Sequence, residues 1–474
     1  MNYIYDIKLD KESEKPLYKQ LANDIIKLVE SGKLSPNSKL PPIRKLAEKM
    51  NVNKTTVVNA YKYLENRKVA YSKMGSGTYI SEINLENLPS PILMNEFNTR
   101  KETKFELNES INFASGTTSE NLFPVNRFKI FFNEVLDRDK GNAFSYQDTK
   151  GFLPLRESFS LYLNDYNIKS TPDKIQIISG AQQGLDIIAK AMLSFGDVVF
   201  VESPTYYGAL GAFLSRGVQV VEIPVCNDGM DMDKLKSLIK IYNPKLIYIM
   251  SYFQTPTCIS YSLKKKQELL EIANRYNTYI VEEDTQSDFV YTDEQLILLK
   301  SLDYKNKVIY IKSFSKILMP GLRIGFMVLP NAIINMVTSA KYNTDISTSG
   351  FIQRAFDLYL KGDELKKHTI YMRSIFISRY ETANSEINKN LKGLVSYKKP
   401  SGGVSFWLKI RNNIDIEMLC NNLIKNNVVV TPGSIFSVKG ENLPYIRISF
   451  ANVEIEDIKK GIQIIGKILR DMNG

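Results

Sequence analysis

Residues Ser313–Phe326 read S-F-S-K-I-L-M-P-G-L-R-I-G-F and follow the β-branched and aromatic run V-I-Y-I-K. That run predicts a short buried strand, and the Pro-Gly pair within the stretch predicts a turn. A lysine on a tight loop after a buried strand, with hydroxyls and an arginine nearby, suits pyridoxal phosphate. We expect Lys316 to form the Schiff base and Ser313, Ser315 and Arg323 to bind the phosphate. An isolated S-x-S-K would more often be a surface lysine beside a structural arginine, so companion motifs are needed.

The composition excludes several classes of protein. The 474 residues are 43% hydrophobic and 24% charged, which allows two or three domains and a large core. No apolar run approaches the ~20 residues of a membrane span, and the charged N-terminus lacks the apolar segment of a signal peptide. Three distant cysteines indicate neither a disulfide framework nor a metal site. We therefore expect a cytoplasmic protein without a membrane partner.

Positive charge is concentrated at the start of the chain. The net charge is +11, and Met1–Ile80 contains 15 Lys and Arg against 8 Asp and Glu. This excess indicates that an anionic polymer binds there, although a basic face is more often simply solvated. The charge therefore needs support from a structural pattern.

The same region has the pattern of a helix-turn-helix. Apolar residues at helical spacing predict helices over Pro16–Glu30, Ile43–Met50 and Lys54–Lys68. Val69–Tyr71 and Thr78–Ile80 predict two strands around a glycine-rich turn. Two short helices joined by a tight turn and followed by a hairpin are typical of a winged helix that binds DNA. A small helical protein-interaction domain is the alternative.

Residues 16–80 resemble the GntR-type winged helix, including the runs L-P-P-I-R-K-L-A, T-T-V-V-N-A-Y and G-S-G-T-Y. The resemblance implies that double-stranded operator DNA is the partner. The residues expected at the DNA are Arg44, Lys54, Thr55, Thr56 and Asn59 from the helices, and Lys73, Gly75, Ser76 and Gly77 from the wing. The two wing glycines allow the backbone to approach a phosphate or the minor groove.

The rest of the chain favours a linker followed by an α/β domain. Residues 81–110 are rich in Asn, Glu and Pro and have no amphipathic period, which is typical of a linker. Beyond them, helical and buried-strand patterns alternate, which favours a mostly parallel sheet. The strand candidates are Ile175–Ser179, Asp197–Glu202, Gln219–Pro224, Leu246–Ser251, Thr278–Glu283, Val308–Ile311 and Gly325–Leu329. Ser396–Arg411 and Val428–Phe450 predict a smaller α+β part. The predicted domains are 1–80, 81–110 (the linker) and 111–474.

The start of one predicted helix offers a second set of phosphate contacts. The run S-G-A-Q-Q at Ser179–Gln183 follows a strand and opens a helix. The backbone N–H groups of Gly180, Ala181 and Gln182 have no partner within the first turn, so they can bind a phosphate. The small residues permit a close approach.

The stretch Phe113–Ala451 resembles the fold-type I aminotransferases, whose Schiff-base loop matches the opening motif at nearly every position. The resemblance implies that Tyr146, in Y-Q-D-T-K-G-F, reaches the phosphate of the neighbouring subunit. It implies that the ring of Tyr206 stacks on the pyridine, and that Arg447 binds an amino-acid carboxylate. Alone, Tyr206 would be interpreted as a core tyrosine, and Arg447 equally well as part of a structural salt bridge.

Four positions depart from the aminotransferase pattern. In V-E-E-D-T-Q-S-D-F, the partner of the pyridine nitrogen is Glu283, where the family has aspartate, and strand alternation turns Asp284 to the other face. Thr285 replaces the tyrosine that bonds the phenolic oxygen of the cofactor. In Q-T-P-T-C, Thr255 replaces an asparagine and Cys258 a glycine. We infer a site that holds pyridoxal phosphate but is poorly equipped for full transamination.

A GntR head joined to an aminotransferase-like body resembles the MocR/GabR transcription regulators, which are implied to be head-to-tail homodimers. In that family the body senses pyridoxal phosphate, often with an amino compound, and the head binds an operator. We expect this chain to respond to pyridoxal phosphate, or to a small amine or amino acid through aldimine exchange. Two alternatives stay open: a working aminotransferase with an accessory head, and a dimerisation scaffold without a ligand.

Overall fold

The structure is a computed structural model that describes residues 4–5, 7, 9–10, 16–30, 34, 38–66, 69–73, 76–81, 110–292, 295–411, 413–438, 440 and 443–472. The predicted wing residue Gly75, the predicted helix end at 67–68 and residues 82–109 of the predicted linker lie outside this part. The chain divides into two compact units, an N-terminal one and a larger one.

The N-terminal unit is a winged helix. Its elements are α1 (Leu17–Glu30), α2 (Ile43–Lys49), α3 (Lys54–Asn66) and an antiparallel hairpin of β1 (Ala70–Lys73) and β2 (Gly77–Ile80). Apolar side chains at helical spacing form its core, and Leu21, Ile25, Leu46 and Leu64 are fully buried there. Asn51, with a φ of 50°, turns the chain from α2 into α3. The predicted helix-turn-helix and wing are confirmed.

The larger unit alternates helices and strands through most of its length. Its helices are α4 (Val125–Asp139), α5 (Leu153–Tyr162), α6 (Ala181–Met192), α7 (Tyr207–Leu214), α8 (Met232–Tyr242), α9 (Leu263–Arg275), α10 (Ile334–Asp345), α11 (Gly350–Lys361), α12 (Glu364–Asn390), α13 (Ile416–Lys425) and α14 (Ile455–Asp471). Its strands are β3 (Ile111–Asn112), β4 (Ile175–Ile178), β5 (Val198–Ser203), β6 (Gln219–Cys226), β7 (Gly229–Met230), β8 (Leu246–Ile249), β9 (Tyr279–Asp284), β10 (Val308–Ser313), β11 (Gly325–Val328), β12 (Val395–Ser396), β13 (Ser405–Ile410), β14 (Val428–Val429), β15 (Thr431–Pro432) and β16 (Tyr445–Ser449). Within the described residues, no helix is long and apolar enough to cross a membrane.

Eight strands form the large sheet, in the order β4-β11-β10-β9-β8-β5-β6-β7. The pairings of β10 with β9, β9 with β8 and β8 with β5 are parallel, whereas β11 runs antiparallel to both β10 and β4. The inner strands are buried on both faces, which explains why they are continuous apolar runs in the sequence. The predicted α/β fold is confirmed. Because parallel strands end at the same edge, the segments after β5, β8, β9 and β10 meet there.

A smaller antiparallel sheet lies near the end of the chain, in the order β12-β13-β16-β15. Strand alternation gives it two different faces. Phe406, Leu408, Ile446 and Ile448 are buried in the main core on one face. The residues between them point the other way and carry polar and aromatic groups. The predicted small α+β part is therefore confirmed.

Candidate functional site

Lys316 lies on the loop that leaves β10 at the carboxyl edge of the large sheet. Two contacts from distant parts of the chain hold this loop. The hydroxyl of Thr118 donates to the carbonyl oxygen of Lys316 (2.5 Å), and the Nε2–H of His368 donates to the carbonyl of Ile317 (2.9 Å). The lysine is therefore fixed at its backbone, and its side chain faces the edge where the strand ends meet.

The surroundings of Lys316 favour the neutral form of its amine. Burial, and after it the positive charge of Arg447, lowers the pKa of Lys316 to about 8 against the opposing effects of Glu283 and Cys258. An appreciable fraction of the amine is therefore unprotonated near neutral pH. Only that form attacks an aldehyde carbon, so this lysine is suited to a carbonyl cofactor.

Glu283 lies on the face of β9 that is turned toward Lys316. Its Oε2 accepts a hydrogen bond from the hydroxyl of Tyr248 (2.6 Å). Burial raises the pKa of Glu283 to about 7, while Tyr248 and Lys316 act to lower it. Asp284 points to the opposite face and binds Lys312 (3.0 Å), as strand alternation predicts.

The residues expected to bind phosphate come from three adjacent segments. Gly325 of β11 pairs with Ser313 on one side and with Ile178 on the other, so the ends of β10 and β4 flank the start of β11. The hydroxyls of Ser313 and Ser315 are 3.3 Å apart. Arg323 donates to the carbonyl oxygen of Ser179 at the start of α6.

Gly180 completes this arrangement because no other residue fits there. Its φ is 91°, and a Cβ at this position would lie 2.8 Å from Nη2 of Arg323. Glycine therefore keeps open a cradle formed by an arginine, two serine hydroxyls and the unpaired N–H groups at the start of α6. This donor set fits a phosphate group. The side-chain amide of Gln182 donates to the carbonyl of Gly208 (2.9 Å), and this bond does not involve the backbone N–H that is expected to bind phosphate.

Tyr206 ends the loop between β5 and α7 and lies among the other candidate residues. Burial raises its pKa, and the charges that act on it include those of Glu283, Arg447 and Arg323. Its ring centroid is 5.0 Å from that of Tyr207. The tyrosine thus lies within electrostatic reach of the two arginines and the carboxylate.

Thr255 and Thr285 differ in their surroundings. The Thr255 hydroxyl is buried and accepts a hydrogen bond from the Gln286 amide (2.9 Å), which also donates to the carbonyl of Phe253 (2.9 Å). The Gln286 oxygen accepts from the backbone of Val404 (3.2 Å). Thr285 is partly exposed. Sequence analysis missed Gln286, because the bond to Val404 joins residues that are far apart in the chain.

Arg447 is 9% exposed and points from β16 toward the site. Its Nη2 donates to the carbonyl of Ala114 (2.5 Å) and to the hydroxyl of Thr431 (3.1 Å), and its guanidinium lies 5.4 Å from the Phe436 ring. Its Nε is buried without a hydrogen-bond partner in the described part of the chain. It forms no salt bridge to any carboxylate in that part, so the interpretation as a structural ion pair gains no support. No sequence pattern predicted the contact of Ala114 with Arg447 or that of Thr118 with Lys316.

Tyr146 is not brought to Lys316 within one chain. Its side chain is 83% exposed. The expectation that it acts on a neighbouring subunit therefore stays a prediction.

The residues expected to contact DNA lie on the surface of the winged helix. Those that are exposed are Arg44, Lys54, Thr55, Asn59, Lys73, Ser76 and Gly77, while Thr56 is half-buried. Lys39, which sequence analysis missed, forms a bridge with Tyr79 of β2. The ammonium groups of Lys39 and Lys73 lie 5.8 Å and 5.4 Å from the Tyr79 ring, so two cations meet at the wing. The signal for Lys39 was only its charge, because its pairing with β2 is long-range.

Comparison with known families matches both units. Residues 108–465 match the family described as aminotransferase class I and II, and residues 17–80 match the bacterial regulatory proteins of the gntR family. The chain is similar to two kinds of protein, regulators and aminotransferases. The uncharacterized HTH-type transcriptional regulator YdfD of Bacillus subtilis is 28% identical over 98% of this chain and 98% of its own length. Aromatic-amino-acid aminotransferase 1 of Thermococcus litoralis is 30% identical over 77% of this chain and 89% of its own length.

Solved structures show the same architecture for the body. The multiple substrate aminotransferase of Thermococcus profundus superposes with a TM-score of 0.74 at 29% identity, covering 80% of this chain and 94% of its own. The Pyrococcus horikoshii kynurenine aminotransferase, solved with PMP, gives a TM-score of 0.74 at 29% identity over 85% of this chain and 97% of its own.

Proposed function

The chain belongs to the class I and II aminotransferase family and carries a GntR-type head, the arrangement of MocR/GabR regulators, and from this premise we propose that it is a sensor. Pyridoxal phosphate is the cofactor of that family. Binding of an amino compound, or of the cofactor itself, shifts the conformation of the body. The affinity of the head for operator DNA then changes as well.

The observation that carries this proposal is the buried Nε of Arg447, which has no hydrogen-bond partner among the described residues and lies within electrostatic reach of the amine of Lys316. A buried donor without an acceptor costs about 1–3 kcal/mol. An amino acid supplies what both residues lack: its amine comes to the cofactor at Lys316, and its carboxylate accepts from the guanidinium. The pocket is therefore matched to a primary amine that carries a carboxylate.

The other residues of the site suit the cofactor. When bound, pyridoxal phosphate supplies an aldehyde carbon that reacts with amines and a ring that draws electrons from it. Lys316 offers an amine that is partly neutral, and Glu283 offers a carboxylate for the pyridine nitrogen. The cradle of Gly180, Ser313 and Arg323 holds the phosphate, and Tyr206 covers the ring face.

Thr255 and Thr285 favour sensing over turnover. Transamination moves a proton from the α-carbon of the substrate and depends on a well-held phenolic oxygen. Both threonines are shorter than the residues that they replace, and the Thr255 hydroxyl already accepts a hydrogen bond from Gln286. Binding an amine requires less, namely Lys316 and a carboxylate anchor.

The test measures operator binding and keto-acid formation with one preparation. Protein loaded with pyridoxal phosphate is titrated with amino acids and amines against an operator fragment that the protein itself selects from random DNA. We expect an effector to change the operator affinity by roughly 5- to 150-fold, the usual range of allosteric coupling. Keto acid should form more slowly than about 1 s⁻¹. Restoring the family residues with Thr255→Asn and Thr285→Tyr should raise the rate of amine consumption.

Arg447→Gln provides the matched variant. It should remove the response to amino acids while keeping the visible absorbance of the lysine-bound cofactor. The control Arg411→Gln, which replaces an exposed arginine, should change neither the response nor the absorbance. Wild-type turnover at 1 s⁻¹ or faster, an ordinary enzyme rate, would favour an aminotransferase with an accessory head. Operator binding that ignores both cofactor and effector would refute sensing.

We further propose the assembly. Residues 1–80 are the DNA-binding head, 81–110 the tether and 111–474 the body, in a head-to-tail homodimer. Phe144 and Tyr146 are 66% and 83% exposed, and an aromatic pair on an open surface is typical of a face that a second subunit covers.

A further inference from the structure

A cavity outside the candidate site lies between the eight-stranded and the four-stranded sheet of the larger unit, and Lys316 is not among its lining residues. Its volume is about 710 Å³, within the ~300–1,000 Å³ of small-molecule sites. One wall is the polar face of the four-stranded sheet, with Trp407, Lys409 and Tyr445. The opposite wall includes Ser203 at the end of β5 and Asn227 in the β6–β7 turn. We call this cavity the tryptophan cleft.

The pairing of β13 with β16 places the cleft beside the candidate effector site. Trp407 pairs with Arg447 and Lys409 with Tyr445, so these side chains share one face of the sheet. Phe436 contacts the first two: its ring lies 5.6 Å from the Trp407 ring and 5.4 Å from the Arg447 guanidinium. The cleft is thus a direct neighbour of Arg447, and one buried aromatic side chain contacts both Trp407 and Arg447.

The aromatic wall of the cleft is a pair of stacked rings. The rings of Trp407 and Tyr445 stack with centroids 5.0 Å apart and planes only 8° from parallel. Both side chains are half-buried and line the cavity, so part of their surface stays open to it. A planar apolar group can lie against such a surface, because aromatic pairs favour offset stacking.

The charge in the cleft is positive. Lys398 and Lys409 line it, and neither forms a salt bridge with a carboxylate among the residues that the structure describes. The described lining contains no Asp or Glu. Glu222 lies nearby, but its carboxylate accepts from the hydroxyl of Ser203 and from the backbone of Val438 (both 3.1 Å). Lys398 also donates to the carbonyl of Asn227, so it ties the small sheet to the β6–β7 turn.

We propose that the tryptophan cleft binds a small aromatic carboxylate, with its ring against the open face of the Trp407–Tyr445 stack and its anionic group between Lys398 and Lys409. This combination follows from the lining: an aromatic wall and two ammonium groups without anionic partners. The site needs neither the cofactor nor the Lys316 amine. It is therefore a second ligand site, separate from the one in the proposed function.

The chain has one tryptophan, so Trp407 fluorescence reports this cleft directly. Full-length protein is titrated with phenylacetate, which has a ring and a carboxylate but no amine, and with uncharged 2-phenylethanol. Phenylacetate should change the emission saturably, and equally in wild type and Lys316→Ala. The double variant Lys398→Gln, Lys409→Gln should bind it roughly tenfold more weakly, since each exposed ion pair contributes modestly. Lys392→Gln, which alters an exposed lysine outside the cleft, should bind like wild type.

Three results would overturn the proposal. Emission that does not respond to phenylacetate excludes the site. Equal affinity for 2-phenylethanol, or for the double lysine variant, excludes recognition of the carboxylate. A response that disappears in Lys316→Ala assigns the probe to the cofactor site instead.

Discussion

At the scale of single residues, local motifs predicted the candidate site and missed the residues that hold it. Lys316, Arg323 and Gly180 were predictable because each lies in a short run with its own chemical logic. Thr118 and Gln286 were not, because each acts through a partner distant in the chain, Lys316 in one case and Val404 in the other. A sequence pattern carries no record of such pairs until the fold is known.

The lowered pKa of Lys316 predicts how apo-protein captures its cofactor. Burial stabilises the neutral amine, so capture of pyridoxal phosphate should accelerate as the pH rises and level off above about pH 8. Stopped-flow measurement of the visible absorbance follows the rate, and borohydride reduction with peptide mapping identifies the lysine. Lys316→Ala should show no band, whereas exposed Lys305→Ala should match wild type. A half-maximal rate near the ordinary lysine pKa of 10.5 would contradict the burial argument.

At the scale of elements, hydrophobic periodicity predicted the strands and helices to within one or two residues at most ends. β9 was expected over Thr278–Glu283 and runs over Tyr279–Asp284, and the helix expected to open within Ser179–Gln183 is α6, which begins at Ala181. Runs that are buried on both faces are easy to find, since they lack polar interruptions. Two-residue strands such as β7 and β14 have no such signal, because pairing with a neighbour alone defines them.

The winged helix allows a prediction at this scale. Arg44 of α2 and Lys54 of α3 are exposed where the resemblance places DNA. If a residue binds phosphate, its change to alanine should weaken binding to all sequences and reduce the log–log salt slope by about one. If it binds a base, the loss should be about 1–3 kcal/mol at one operator position. Fluorescence anisotropy at several salt concentrations separates these cases. Lys19→Ala, on α1, is the control, and wild-type binding by both variants would show that the DNA-binding face lies elsewhere.

At the scale of the whole molecule, the fold class could be predicted but the order of the strands could not. The alternation of helices and strands indicates an α/β body, whereas the order β4-β11-β10-β9 joins strands from distant parts of the chain. Contacts between subunits likewise could not be predicted, because they depend on a second copy of the chain. The exposed Tyr146 acquires a role only if a second copy supplies the site that it serves.

Mixed dimers test that role. Tyr146→Phe should weaken cofactor binding about 10- to 100-fold, because a hydrogen bond to a charged group contributes about 1.5–3 kcal/mol. In a dimer of one Tyr146→Phe chain and one Lys316→Ala chain, the only lysine-bearing site receives an intact tyrosine from its partner. That site should bind pyridoxal phosphate with wild-type affinity, as measured by absorbance titration. Weak binding there would place Tyr146 in its own subunit, and Tyr371→Phe, at another exposed tyrosine, controls for surface effects.

The bond between His368 and the Lys316 loop has a spectroscopic consequence. The chain contains one histidine, and its Nε2–H donates to the carbonyl of Ile317, the residue next to Lys316. Burial lowers the pKa of His368, so the ring stays neutral where free imidazole would titrate. A proton nuclear magnetic resonance spectrum therefore contains a single imidazole Hε1 signal, free of overlap from other histidines. Its chemical shift provides an isotope-free monitor of the loop as ligands enter and leave.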